Sequence, residues 1–187
     1  MNRHSTLVWS LLLLCPLIAK AQNSAPFPDP SKDISSTTIL ATKHEPGERL
    51  LIRGTVYYAD GASPYAGLVI YLYQTDASGV YNNKNRSWRE PRLHGWVKTG
   101  ANGEYEIQTI KPGSYPGSRN PAHIHAVIKL PGKSPMWIDD FLFEGDPFLT
   151  DQLKHTAKAS GKFSNILNLR HAGDSSLVGT RDIRIEE

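Results

Sequence analysis

Apolar residues recur at every second position through much of this chain, in short runs broken by glycine, proline and asparagine. A period of two is the signature of half-buried strands, because successive side chains on a strand point to opposite faces. Leu50 to Tyr58 alternates, is rich in branched and aromatic residues, and runs into a turn at Asp60-Gly61. Gly67 to Gln74 reads as a second strand. Trp96 to Thr99 and Glu104 to Ile110 flank Gly100-Ala-Asn-Gly103, a spacing that predicts a hairpin. Ala122 to Leu130 and Trp137 to Phe143 follow as strands, and Phe148 to Ala159 as one short helix. Phe163 to Arg170 and Thr180 to Ile185 are expected to close the sheet. Many short strands with frequent turn signals predict an all-β fold: a β-sandwich core with long connecting loops and at most one short helix.

The N-terminal segment breaks this pattern. Met1-Asn-Arg-His-Ser precedes an apolar run from Leu7 to Ala19 and a small-x-small end at Ala19-Lys-Ala21. That order of basic head, apolar middle and cleavage site is expected of a signal peptide, residues 1–21, and of export to a periplasm or the exterior. The apolar run is too short for an ordinary membrane span. Residues 22–47, rich in Pro, Ser and Thr, are expected to form an extended arm with one short strand at Thr38 to Thr42. Residues 48–187 then form a single domain around one core.

Loss of Arg3 and Lys20 with the leader lowers the formal net charge from +3 to +1. A nearly neutral domain gives no electrostatic case for nucleic acid or for a membrane partner after cleavage. Cys15, the single cysteine, leaves with the leader, so the mature chain is expected to hold together without disulfides. Composition leaves an oligomer open.

The chemistry concentrates in Ala122-His-Ile-His-Ala-Val-Ile-Lys-Leu130. On a strand, Ile124, Ala126, Ile128 and Leu130 face the core, and His123 and His125 share the opposite face, where both imidazoles can reach one metal ion. Tyr81 and Tyr115 stand in turn-like segments upstream. Two His and two Tyr make a hard, anionic donor set, better suited to trivalent iron than to zinc. His94, His155 and His171 lack partners at ligand spacing and read as surface residues; Trp88, Trp96 and Trp137 read as core or pocket wall.

The words around these residues are Tyr73-Gln-Thr-Asp-Ala-Ser-Gly-Val-Tyr81, Lys111-Pro-Gly-Ser-Tyr-Pro116, Asn120-Pro-Ala-His-Ile-His125 and Phe143-Glu-Gly-Asp-Pro147. In this order the chain resembles the intradiol ring-cleavage dioxygenases, over roughly residues 48 to 148. The resemblance implies a β-sandwich carrying Fe(3+) on Tyr81, Tyr115, His123 and His125. It implies a catechol-type substrate and O2 as reactants, ring opening between the two hydroxyls, and a muconate-type diacid product. It also implies that Tyr115 leaves the metal and acts as a base. Two departures stand out. Family members active on catechol carry Arg three residues before the first histidine; here that position is Asn120, with Arg119 beside it as the candidate for the same charge. Asp140 replaces the family's glutamine, and if it faces the pocket it disfavours a carboxylated ring. The loop from Tyr115 to His123 is also several residues shorter. These departures keep a second reading open, an exported β-sandwich binding module that retains the fold, with or without the iron site, and does not cleave rings.

Overall fold

Val69–Gln74 is apolar on both faces and is buried along almost its whole length, so it needs a strand on each side and cover above and below. The computed structural model describes residues 25–30, 33–81, 90–173 and 176–186. The expected leader with Cys15, and Trp88, lie outside the described residues. In chain order the strands are β1 (Thr37–Ile39), β2 (Arg49–Tyr57), β3 (Val69–Gln74), β4 (Leu93–Lys98), β5 (Glu104–Ile110), β6 (His123–Lys129) and β7 (Met136–Phe143). Helix α1 (Asp151–Ala159) follows, then β8 (Ile166–Leu167), β9 (Arg170–His171), β10 (Leu177–Thr180) and β11 (Ile183–Arg184).

These strands form two mixed sheets. One runs β1-β5-β2-β10-β9, with β11 also paired to β2; the other runs β4-β3-β6-β7-β8. Between them lies the main core, built from residues such as Ile52, Val56, Ile70, Leu72, Val97, Ile107, Ile124, Ile128, Phe141 and Phe143. The described residues form an all-β sandwich with one short α-helix.

The pairing differs from the sequence expectation in three places. Gly100 to Gly103 does make a turn, with the Gly103 N–H on the Gly100 carbonyl at 3.0 Å, but it does not join a hairpin. β4 pairs with β3, and β5 pairs with β2 and β1, so the turn carries the chain from one sheet to the other. The cause is burial: Val97 before the turn and Tyr105 and Ile107 after it all enter the same core from opposite layers. The segment expected as one strand from Phe163 to Arg170 begins in a 3-10 turn and then splits into β8 and β9, which belong to different sheets. The closing strand likewise splits into β10 and β11, both parallel to β2, around a buried Arg181. Helix α1 starts later than expected, at Asp151. The Asp146 carboxylate accepts from the Phe148 N–H at 2.9 Å, and the Thr150 hydroxyl caps the Leu153 N–H at 3.2 Å.

The N-terminal segment covers the outer face of the second sheet. Ala25 and Phe27 pack on Tyr71, Tyr73 and Val127, and Trp96 donates to the Pro28 carbonyl at 3.2 Å. β1 then pairs parallel with β5, and the Ser35 carbonyl accepts from Lys98 of β4, which seals that edge of the sandwich.

Candidate metal centre

β6 is paired on both sides, with β3 and β7, which makes it a rigid carrier. Ile124, Ala126, Ile128 and Leu130 are buried in the core, and His123 and His125 emerge on the other face half-buried. Tyr73, the partner of His125 across β3, lies 4.6 Å from its ring. Asp146, from the Glu-Gly-Asp-Pro segment, holds the start of β6 by accepting from the Ala122 N–H at 2.9 Å.

β7 reaches the histidines through a β-bulge. His123 pairs with Leu142 and Ile124 with Phe141, but Ala126 pairs with Ile138. His125 alone therefore faces two residues, Asp139 and Asp140. The extra residue lets Phe141 and Ile138 both pack on the core while Asp140 turns to the histidine face. The Asp140 carboxylate lies 2.8 Å from His125 Nδ1.

The two tyrosines come from loops that interlock. Asp76 folds the first: its carboxylate accepts from Ser78 N–H (2.9 Å), Ser78 O–H (2.6 Å) and Val80 N–H (3.1 Å), so Tyr81 leaves in a fixed direction. Gly79, at φ 81°, sits where an added Cβ would lie 1.9 Å from the Ser114 carbonyl oxygen of the second loop. The Gly113 N–H donates to the Asp76 carbonyl at 2.9 Å, and the Thr75 hydroxyl donates to the Gly113 carbonyl at 2.9 Å. This close approach brings the hydroxyls of Tyr81 and Tyr115 to 2.6 Å.

Four donor atoms thus converge. Tyr115 Oη lies 3.1 Å from His123 Nε2 and 3.2 Å from His125 Nε2, and the two Nε2 atoms are 3.1 Å apart. His123 Nδ1 faces the Pro121 carbonyl at 2.7 Å, and His125 Nδ1 faces the Asp140 carboxylate. A carbonyl and a carboxylate only accept, so each Nδ1 carries the proton and each Nε2 presents a lone pair. Two phenolic protons cannot satisfy four converging lone-pair atoms: Tyr81 and Tyr115 share one, and Tyr115 reaches only one imidazole with the other. A cation at the centre resolves the conflict, and donors about 2 Å from a shared ion stand roughly 3 Å apart. The residues therefore fit a metal. Asp140, although close, bonds the far nitrogen of His125 and so orients a ligand.

The electrostatics agree. Burial, and the bond and charge of Tyr115, hold the Tyr81 phenol far above its ordinary pKa. Burial raises Tyr115 too, against the bond from Tyr81, which lowers it. Burial keeps His123 neutral by pushing it below the ordinary histidine value. A neutral imidazole is ready to ligate, whereas the phenols need a cation to give up their protons.

Residues 26–184 match a family model described as "Dioxygenase". The chain belongs to the intradiol dioxygenase family. It is 30% identical over 128 residues to catechol 1,2-dioxygenase 1 of Acinetobacter lwoffii, across 58% of this chain and 40% of that one. It is 29% identical over 113 residues to the protocatechuate 3,4-dioxygenase beta chain of Burkholderia cepacia, across 55% and 48%. The chain spans under half the length of these two curated relatives. Among solved structures it is similar to the dioxygenase domain of a dioxygenase carbohydrate-binding protein fusion from Streptomyces sp. SirexAA-E. Identity there is 28%, with a TM-score of 0.62 and coverage of 83% of this chain and 91% of that one. An intradiol ring-cleavage dioxygenase from Tetranychus urticae shares the fold at 22% identity and TM-score 0.60, covering 87% and 92%.

Of the residues singled out in the sequence, the structure brings Tyr81, Tyr115, His123 and His125 together. Arg119 is exposed, its guanidinium 6.0 Å from the Phe148 ring centre, and Asn120 beside it is exposed as well. His155 and His171 are exposed as expected, whereas His94 is half-buried against Tyr71 and Trp96. Sequence reasoning left Asp140 open between pocket and solvent, and missed Asp76, Asp146 and the Pro121 carbonyl as supports. Two adjacent acids inside an apolar strand, Asp139-Asp140, were a readable sign of the bulge.

Proposed function

We propose that this family member is an exported iron(III)-dependent intradiol dioxygenase. It cleaves a catechol-type ring between its two hydroxyls and inserts both atoms of O2, giving a muconate-type diacid. The observation that carries this reading is that Tyr115 Oη stands 3.1 and 3.2 Å from two imidazole lone pairs and 2.6 Å from the Tyr81 hydroxyl, with both outer imidazole nitrogens already tied. Relatives named for catechol and protocatechuate cleavage support the reaction class. Tyr81, Tyr115, His123 and His125 would hold iron(III), which would supply the charge that lets both phenols ionise and draws the catechol to the site.

The protein's own residues then have distinct tasks. His123 and His125 stay fixed on β6, each with Nε2 toward the Tyr115 hydroxyl. Tyr81 stays in place, held by the Asp76 turn. Tyr115 sits on the loop 112–117, and its oxygen accepts one of the two protons the catechol must lose. Trp137, 43% exposed and 5.5 Å from the His125 ring, offers an aromatic wall beside the site. Asp140 places a carboxylate beside His125, which would favour neutral over carboxylated rings. Arg119 supplies positive charge to the reacting ring after leaving Phe148.

The test is metal analysis followed by oxygen uptake with catechol, protocatechuate and hydroxyquinol. Iron with stoichiometric O2 consumption and a diacid product supports the proposal. A second reading, an iron-holding binding module, is favoured by exposed Arg119 and by Asn120. Iron with tight catechol binding but no O2 uptake selects it.

A further inference from the structure

Arg181 lies between β10 and β11, is only 4% exposed, and has no carboxylate within ion-pair distance among the described residues. Its Nε and Nη1 have no hydrogen-bond partner among them. Burying a guanidinium without a counter-charge is expensive, so this residue needs a reason to be where it is. Its main chain is fastened to the first sheet: the N–H donates to the Arg53 carbonyl of β2 at 2.9 Å, and the carbonyl accepts from the Tyr105 hydroxyl at 2.7 Å. Gly54 of β2 permits this approach, since a Cβ there would meet the Arg181 carbonyl oxygen at 1.7 Å. The side chain crosses to the second sheet, stacks 4.0 Å from the Phe141 ring centre, and donates through Nη2 to the Asp139 carbonyl at 2.6 Å.

Asp139 is half of the bulge beneath His125. The other half is fixed as well, because Asn165 Nδ2 donates to the Asp140 carbonyl at 3.0 Å. Two outside side chains thus hold both carbonyls of the pair whose carboxylate sets the His125 tautomer. Charge-assisted bonds such as that from Arg181 are short and strong, so its loss would free the Asp139 carbonyl to reorient within the bulge.

We infer that Arg181 is a positioning residue for the metal centre: it pins the bulge at Asp139, so that Asp140 faces His125 and keeps the Nε2 lone pair on the donor cluster. This rests on the proposed iron site for its ligand, not for its geometry. Outer partners of a ligating histidine typically change metal affinity by about 10- to 100-fold.

The experiment measures iron affinity by chelator competition in full-length protein carrying Arg181→Met, Asp140→Ala, or both. The expected result is at least tenfold weaker iron binding for Arg181→Met in the Asp140 parent, and under twofold further loss in the Asp140→Ala background. Unchanged affinity in the parent, or the same loss in both backgrounds, overturns the inference and leaves Arg181 as a strut of the core. If Arg181→Met does not fold, Arg181→Lys keeps the charge but shortens the reach. At least threefold loss confined to the Asp140 parent sustains the inference, and no such difference overturns it. If the parent itself binds no iron, the proposed function fails, and nitrogen NMR of His125 in the metal-free protein decides. A shift from the Nδ1–H form to a mixture on Arg181 replacement supports the inference, and an unchanged tautomer rejects it.

Discussion

His125 is held at both ends, by Asp140 on Nδ1 and by the donor cluster on Nε2, while its strand neighbour Ile124 has no exposed surface. Alternation along one strand therefore separates two jobs, ligation and packing, on adjacent residues. Ile124→Ala is expected to cost about 2–5 kcal/mol in chemical denaturation, because β3 and β7 on either side cannot close the gap. His123→Ala is expected to remove iron with a far smaller loss of stability. The reverse ranking would contradict the register of β6. Arg119 tests a different point, the source of positive charge beside the neutral Asn120. Arg119→Ala is expected to lower turnover at least tenfold, a floor set below the roughly hundredfold to thousandfold that one preorganised donor supplies, with iron content unchanged. Equal turnover would assign Arg119 to the surface where it now stacks on Phe148.

At the scale of elements, strands were readable and their partners were not. Alternation located β2, β3, β5, β6 and β7 because each buries one face or both. It could not choose the sheet, since a turn with glycines at both ends serves a hairpin and a crossover equally, and Gly100 to Gly103 turned out to be a crossover. The four donors were legible because each sits in a distinctive word, whereas their supports act through backbone carbonyls, which leave little trace in side-chain pattern. The interlocked tyrosine loops show what those words secure. Gly79→Ala meets both a positive φ and the Ser114 carbonyl, so it is expected to force the loops apart. Iron analysis should find most of the metal lost, while circular dichroism shows the sandwich retained. A variant with full iron content would show that the close approach is not what positions Tyr81 and Tyr115.

For the whole molecule, the segment before β2 joins both layers and the site. Glu45 pairs with both terminal nitrogens of Arg92, at 2.5 and 2.7 Å, and Arg92 also lies 3.8 Å from Asp76, which folds the Tyr81 turn. The bond to Arg92 lowers the Glu45 pKa. Asp76 is also lowered, by hydrogen bonds from Ser78 and Val80 that outweigh its burial. Carboxylates with depressed folded values stabilise the fold above their unfolded values, about 4, and this contribution is lost as pH falls through the lower folded values. Urea midpoints are expected to drop between pH 5 and pH 3, and Arg92→Met is expected to flatten that dependence. An identical slope in the variant would exclude this cluster as its source.

The central claim is that two tyrosines and two histidines on a β-sandwich hold one ferric ion. Elemental analysis of the purified protein with its visible spectrum tests this most directly, alongside Tyr81→Phe and Tyr115→Phe. The account requires about one iron per chain and a visible phenolate-to-ferric band that shifts or weakens in each variant. A colourless protein that fills the site with zinc and takes up no iron would contradict it.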